Sequence, residues 1–377
     1  MDLPTLTYLS IDSLSEGVGA SQVLPYVEGL ASRGLPVNLH TFERAAPPEE
    51  LQARLKQQAV VWVAHRFGPG GPAGGLGRVL RGAGAVRGAE LVHSRSDLPA
   101  ASALISRSER WVWDMRGFWA DEKIEVGALR ARSPEDAVMR AIERRSARSA
   151  GAILTLASAA IPVLVARHGQ AVEHKTHVIA TCVDLARFVP TEAPPRPVRL
   201  LISGTLNSRY DVAGMTRFAK HLARRLPVRL EVLCPDPARW EALLLSEGAV
   251  VGKADPSEMP AHVAASHAGL ALLGQSKTVA NKASMPTKLG EFLACGRPVV
   301  VSPGVGDMDQ LLARYDCGVS IDPASDDALE AGAAELERLL EDPALPGRCR
   351  SLAEDHFNLE NAISSLLDVY RTVASKT

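Results

Sequence analysis

Cysteine is scarce in this chain of 377 residues: there are five, Cys182, Cys234, Cys295, Cys317 and Cys349, dispersed and odd in number. None has metal-binding spacing, so neither a disulfide frame nor a zinc site is expected, and a reducing compartment suits them. Excess charge is lacking too. Lys and Arg total 42 against 43 Asp and Glu, a net charge of -1, which offers nothing for an extended nucleic-acid surface. No apolar run approaches the roughly 20 residues that cross a bilayer, and the opening MDLPTLTYLSID has no basic n-region. The chain therefore reads as cytoplasmic, with peripheral contact at an anionic membrane left open through Arg78, Arg81, Arg87, Arg144, Arg145 and Arg148. A solvated helix face accounts for the last three as well. Low complexity is confined to a glycine-rich stretch, 68 to 88, which reads as a mobile basic edge.

What is present is alternation. Short β-rich runs and helical stretches follow one another from end to end, the signature of parallel sheets with crossover helices, and the length calls for about two domains. Strand candidates in the first half are TLTYLSID, PVNLHTFE, VVWVAH, ELVHSR, RWVWDMR and GAILTLAS, with helices at 19 to 33, closed by Gly34, and at 134 to 149. Proline-heavy VPTEAPPRP, 189 to 197, reads as a linker. Beyond it come VRLLISG, VRLEVLC, AVVG, AGLALLG, RPVVVS and CGVSID. The expected fold is α/β: two Rossmann-like parallel-sheet domains, 1 to 188 and 198 to 357, facing a central cleft. A last helix, 358 to 377, with Leu359, Ile363, Leu366, Leu367 and Tyr370 on or beside one face, is expected to pack back on the first domain.

Ligands of open parallel sheets bind beyond the carboxyl ends of strands. After the first strand, Gly17 and Gly19 precede Ser21, Gln22 and a helix; their spacing is not the dinucleotide fingerprint, and steric need explains such glycines as readily as binding does. After the fifth, DMRGFWADE sets Asp114 and Arg116 beside Phe118 and Trp119, flat surface of the kind that packs on sugar rings. The second half opens with a strand, Gly204 and Arg209 before a helix near Asp211. In SMPTKLGEFLACGRPVVVS, 284 to 302, Ser284 can cap a helix, Pro286 suits its first turn, Leu289, Phe292 and Leu293 form its apolar stripe and Gly296 ends it. A lysine in that first turn is unfavourable unless an anion joins it, so Thr287, Lys288 and Glu291 on one side suggest a phosphate site with a carboxylate for a hydroxyl pair. An intrahelical ion pair is the alternative.

In sequence, these segments resemble the GT-B glycosyltransferases and specifically glycosyltransferase family 4, through SQVLPYVEGLASRG and TFE, VWDMRGFWADE, IERRSARSAGAILTLAS, IATCVDLARF, SGTLNSRYD, MPTKLGEFLACGRPVVVS and GVGDMDQLL. The resemblance implies retaining transfer of a sugar from a nucleotide-sugar held by the second domain to a saccharide, lipid-linked or small-molecule hydroxyl held by the first, with no metal and no cofactor. It implies that Glu291 binds the ribose, that Lys288, Arg209 and the backbone around Ser284, Pro286 and Thr287 with Gly204 face the donor, and that Gly17 and Gly19 lie near the diphosphate. Ser21, Gln22, Arg116 and Trp119 are the implied acceptor side, with Asp114 as base, acceptor organiser or support for Arg116.

Departures from the family pattern are specific. Its first glutamate falls at Ala283, and the usual arginine and lysine fall at Thr205 and Tyr210, where Arg209 and Lys288 offer charge from neighbouring positions. His267 stands where relatives often have aspartate and reads as structural. These departures leave two alternatives to an active transferase, an inactive GT-B nucleotide-sugar-binding protein and a GT-B sugar epimerase.

Overall fold

The structure, a computed structural model, describes residues 3–274 and 278–375. It divides into two compact units, Met1–Ala180 with Leu359–Thr377, and Thr181–Asn358. Among the described residues the first unit holds a seven-stranded sheet of β1 (Leu6–Ser10), β2 (Val37–Glu43), β3 (Val60–Arg66), β4 (Leu91–Arg95), β5 (Trp111–Asp114), β6 (Ala152–Thr155) and β7 (Thr176–Val178). Its order is β3-β2-β1-β4-β5-β6-β7, with every pair parallel. The second holds β8 (Val198–Ser203), β9 (Val228–Leu233), β10 (Val250–Gly252), β11 (Ala268–Ala271), β12 (Val299–Val301) and β13 (Gly318–Ser320), in the order β10-β9-β8-β11-β12-β13 and again all parallel.

Burial explains which runs became central. LTYLS of β1 and WVWD of β5 are buried along their length, as strands covered by helices on both faces must be, whereas β3, at the edge, is mostly exposed. In each sheet the strand order reverses beside the first strand, between β1 and β4 and between β8 and β11. Ligands of such folds bind at these switch points.

Three expectations need correction. The helix of 19 to 33 is two, Gly17–Gln22 and Leu24–Ser32, because Pro25 cannot donate a helical hydrogen bond and so opens the second one. The glycine-rich stretch forms the helix Gly71–Val86, in which Arg78 is buried and donates to the carbonyls of Phe67 (3.1 Å) and Pro69 (3.0 Å). The second unit begins before 188: Val183 N donates to Phe357 O (2.8 Å), and Arg350 Nη1 donates to Phe188 O (2.9 Å). In the proline-rich segment, buried Arg297 donates to the carbonyls of Thr191 (3.2 Å) and Glu192 (3.0 Å).

The final helix, Leu359–Ala374, lies in the first unit, with Leu359, Ile363, Leu366, Leu367 and Tyr370 all buried. Ile363 seats against Gly29 of the helix Leu24–Ser32. No helix among the described residues is long and apolar enough to cross a membrane.

Candidate functional site

In the second unit the cluster forms where β8 gives way to loop. Gly204, at φ +83°, turns the chain, and a Cβ there would lie 3.7 Å from both Cε and Nζ of Lys288. Lys288 comes from the first turn of the helix Thr287–Ala294; only 9% of it is exposed, and among the described residues its Nζ has no hydrogen-bond partner. It stands 4.2 Å over the ring of Tyr210. Arg209 Nη2 donates to Asn281 Oδ1 (2.7 Å) and Ser284 Oγ (3.2 Å), and the loop is pinned beside the end of β11 by Gly274 N donating to Arg209 O (2.9 Å). Gly204, Arg209, Ser284 and Lys288 thus come together within one unit at its switch point. Asn281, fully buried, is the member that sequence reasoning missed; flanked by Thr278, Lys282 and Ser284, it gave no signal that would set it apart from a surface polar residue.

Ser284 does not cap this helix. The N-cap is Pro286, and Ser284 Oγ donates back to Ala280 O (3.1 Å), which frees the first-turn amides from a side-chain cap. Glu291, on the next turn, is partly exposed at its surface; burial of its carboxyl pushes the pKa up to about 6, with Lys288 and Arg187 pulling the other way. Ala283 is fully buried, and Thr205 is exposed. His267 is structural: its Nδ1 accepts from Arg199 N (3.0 Å), and burial holds its pKa near 4.

The first unit has its own cluster at the ends of β1, β4 and β5. Gln22 Oε1 accepts from Arg95 Nη2 and Arg116 Nη2, both at 2.7 Å, and Arg95 also pairs with Asp12. Asp114 is enclosed, 3.6 Å from Arg116, 4.0 Å from Arg95 and 3.3 Å from His93 Nε2. Despite burial, the largest influence and an upward one, those neighbours hold its pKa down to about 2. Burial lowers the pKa of His93, so its neutral ring donates from Nε2 to Asp114 and accepts at Nδ1 from Tyr370 OH (2.8 Å). Tyr8 stacks on the same ring at 4.1 Å. The cavity among these groups is about 10 Å³, room for a water at most. A carboxylate so weakly basic and so enclosed is suited to fixing Arg116 and Arg95 rather than to taking a substrate proton. His93, Arg95 and Tyr8 were not singled out from sequence, and Tyr370 was read only as part of an apolar helix face, although the HSR ending of β4 puts three polar groups where a central strand is otherwise apolar.

Arg116 is held at φ +56°, inside a three-residue turn closed by Gly117 N donating to Met115 O (2.7 Å). Phe118 offers no flat surface to a sugar: it is buried, with the Arg167 guanidinium 4.7 Å over its ring. Trp119 is partly exposed at the start of the helix Trp119–Glu125, with Lys123 Nζ 4.8 Å over it. Ser21 Oγ donates to Gly17 O (3.0 Å). The two glycines of that loop differ. Gly17 has φ +52° and open space around it, whereas a Cβ on Gly19 would lie 1.9 Å from Ser13 O, so Gly19 serves close backbone approach. Glu43 anchors the same loop, accepting from Ser13 Oγ and from Leu14 N (2.9 Å).

Residues 213–360 match the family described as glycosyl transferase-like. No curated protein is a significant match in sequence. Among solved structures, sucrose-phosphate synthase from Thermosynechococcus elongatus is similar at TM-score 0.73 and 18% identity, covering 98% of each chain. Anabaena HepE in complex with UDP and glucose is similar at TM-score 0.71 and 14% identity, over 99% of this chain and 100% of that one. WaaG, a glycosyltransferase involved in lipopolysaccharide biosynthesis, is similar at TM-score 0.68 and 16% identity, over 97% and 99%. Two doubly wound parallel sheets with switch points between β1 and β4 and between β8 and β11, matched along nearly their whole length in this way, give the chain the GT-B glycosyltransferase fold, with a glycosyl transferase-like region over residues 213–360.

Proposed function

We propose that the chain is a retaining, metal-independent glycosyltransferase that moves a sugar from a nucleotide-sugar to a hydroxyl of a saccharide, lipid-linked or small-molecule acceptor. The observation that carries this reading is the Lys288 ammonium, nine-tenths buried, without a hydrogen-bond partner among the described residues and directed at the glycine turn after β8. A buried cation left unpaired is costly, and a diphosphate beside it removes the cost. Arg209 supplies a second positive charge, and Glu291 supplies the acceptor for a ribose hydroxyl pair. UDP and glucose in HepE are consistent with such a ligand.

In the proposed reaction the bond from the anomeric carbon to the diphosphate oxygen breaks, and the acceptor oxygen bonds that carbon from the same face. The hydroxyl proton passes to the departing phosphate. Lys288 and Arg209 stabilise the charge that grows on the leaving group, and the protein's contribution is positioning and electrostatics rather than covalent chemistry. The test is a thermal shift against UDP, GDP, ADP and dTDP: one of them stabilises the wild type, and Lys288→Ala loses most of that gain. Failure of all four to shift the protein would overturn the reading. Ala283, buried where a carboxylate is expected, favours a second reading, a binder without transfer. Release of nucleoside diphosphate on long incubation with the matching nucleotide-sugar separates the two.

A further inference from the structure

The first unit carries a concave site that the reading above does not use. β2 and β3 are the outer pair of their sheet and end in register, Glu43 opposite Arg66. Arg44 follows β2; Phe67, Gly68 and Pro69 follow β3; with Arg81 of the helix Gly71–Val86 they enclose a cavity of about 630 Å³ at the carboxyl ends of the strands. That is a volume typical of small-molecule sites.

Its charge is one-sided. The Glu43 carboxylate is already occupied, accepting from Ser13 Oγ, Leu14 N and Thr41 Oγ1. Arg44 meets a carboxylate, that of Glu16, only at 3.9 Å with both side chains mostly exposed, a contact worth little. Arg81 Nη1 donates to Arg66 O (3.0 Å), and neither Arg66 nor Arg81 has an ion pair among the described residues. Behind them Arg78 donates to the carbonyls of Phe67 and Pro69, and burial together with the charge of Arg44 lowers its pKa. Arg44 and Arg78 both lie over the Phe67 ring, at 4.0 and 4.2 Å. Guanidinium groups gathered around one aromatic ring with their nearest acid spent repel one another, and a planar or tetrahedral oxyanion accepting their N–H groups reverses that.

We propose that this pocket binds an anionic group, phosphoryl or carboxylate, carried by the acceptor. The word acceptor rests on the glycosyl-transfer reading; the anion chemistry rests on the pocket alone.

The experiment titrates the full chain with inorganic phosphate, with glucose 6-phosphate, with glucose, and with vesicles of phosphatidylglycerol in phosphatidylcholine. Wild type, Lys288→Ala and the double variant Arg44→Gln with Arg66→Gln are compared. Both altered arginines are exposed, so folding is retained. Phosphate or glucose 6-phosphate binding is expected to persist in Lys288→Ala, which disables the other cationic cluster, and to weaken at least tenfold in the double variant, with glucose inert. Vesicle binding that depends on the same two arginines, without binding of the soluble anions, assigns the anion to a lipid headgroup. Stabilisation by nucleotide should be unchanged in the double variant, so a failed nucleotide screen and a failed anion titration remain separate results. If none of the anionic probes shows binding that depends on Arg44 and Arg66, the proposal is overturned.

Discussion

Replacing Lys288 by methionine should make the unliganded protein more stable and its ligand affinity worse. Methionine keeps the length and most of the volume of the side chain and removes a charge that has no hydrogen-bond partner among the described residues, only the Tyr210 ring at 4.2 Å and the electrostatic attraction of Glu291. A buried unpaired ammonium costs several kcal/mol after relaxation, and its cation–π contact returns about 0.5–2 kcal/mol. The net gain on substitution is therefore about 1–3 kcal/mol, which for a unit of this size raises Tm by at least about 2 °C. The measurement belongs at pH 5, where Glu291, with its pKa near 6, holds its proton and the attraction it loses does not blur the result. At pH 7.5 the same variant should bind the stabilising nucleoside diphosphate more weakly by about 1.5–3 kcal/mol, the worth of charge-assisted hydrogen bonds, or roughly 10- to 150-fold. Turnover should fall further than donor binding, because charge on the diphosphate peaks as it leaves. A variant that melts several degrees lower and keeps the nucleotide shift would refute the reasoning and make Lys288 a structural cation.

Two further outcomes follow from the same clusters. Glu291 has a folded pKa of about 6 against 4.5 unperturbed, so below pH 4.5 its full contribution is present, and as pH rises from 4.5 to 6 the unfolded chain has released a proton that the folded one still holds. Stability should fall by about 2 kcal/mol across that window, flatten in Glu291→Gln, and be accompanied in the wild type by tighter nucleotide-sugar binding above pH 6. Urea denaturation and calorimetric titration across pH 4 to 8 check both. Gly19→Ala should cost about 3 kcal/mol, since its Cβ would lie 1.9 Å from a backbone oxygen, and Gly17→Ala only about 1 kcal/mol, the penalty of a left-handed turn in open space. Equal losses on urea denaturation would undo that distinction.

The periodic parts of the fold were legible. Runs such as LTYLS and VRLLIS announce buried parallel strands because both faces are covered, and all twelve strand candidates became strands among the described residues. β7 escaped notice because three residues, THV, are too few to show a period. Pro25 marked the helix break, although the long apolar pattern outweighed it in the reading. Arg78 shows the limit of composition: arginine among glycines looks solvated, yet those glycines let a helix approach closely enough to bury it. Charged residues pointed toward both clusters: Asp114 and Arg116 at the end of β5, Arg209 in the loop after β8, and Lys288 in the first turn of a helix, where a cation is unfavourable. Their partners were invisible, because Tyr370 meets His93 across most of the chain's length and only tertiary structure brings them together.

That last contact bears on how the protein is made. The Tyr370 hydroxyl that completes the His93 and Asp114 network, and the Ile363 side chain that covers Gly29, belong to a helix that follows the whole second unit in the chain. During synthesis the first unit must therefore wait, with an apolar face of its sheet and of the helix Leu24–Ser32 uncovered, until the entire second unit has been translated. A nascent chain stalled before Leu359 would present that face to chaperones, and a fragment ending at Ala180 would need the terminal helix supplied in trans to settle.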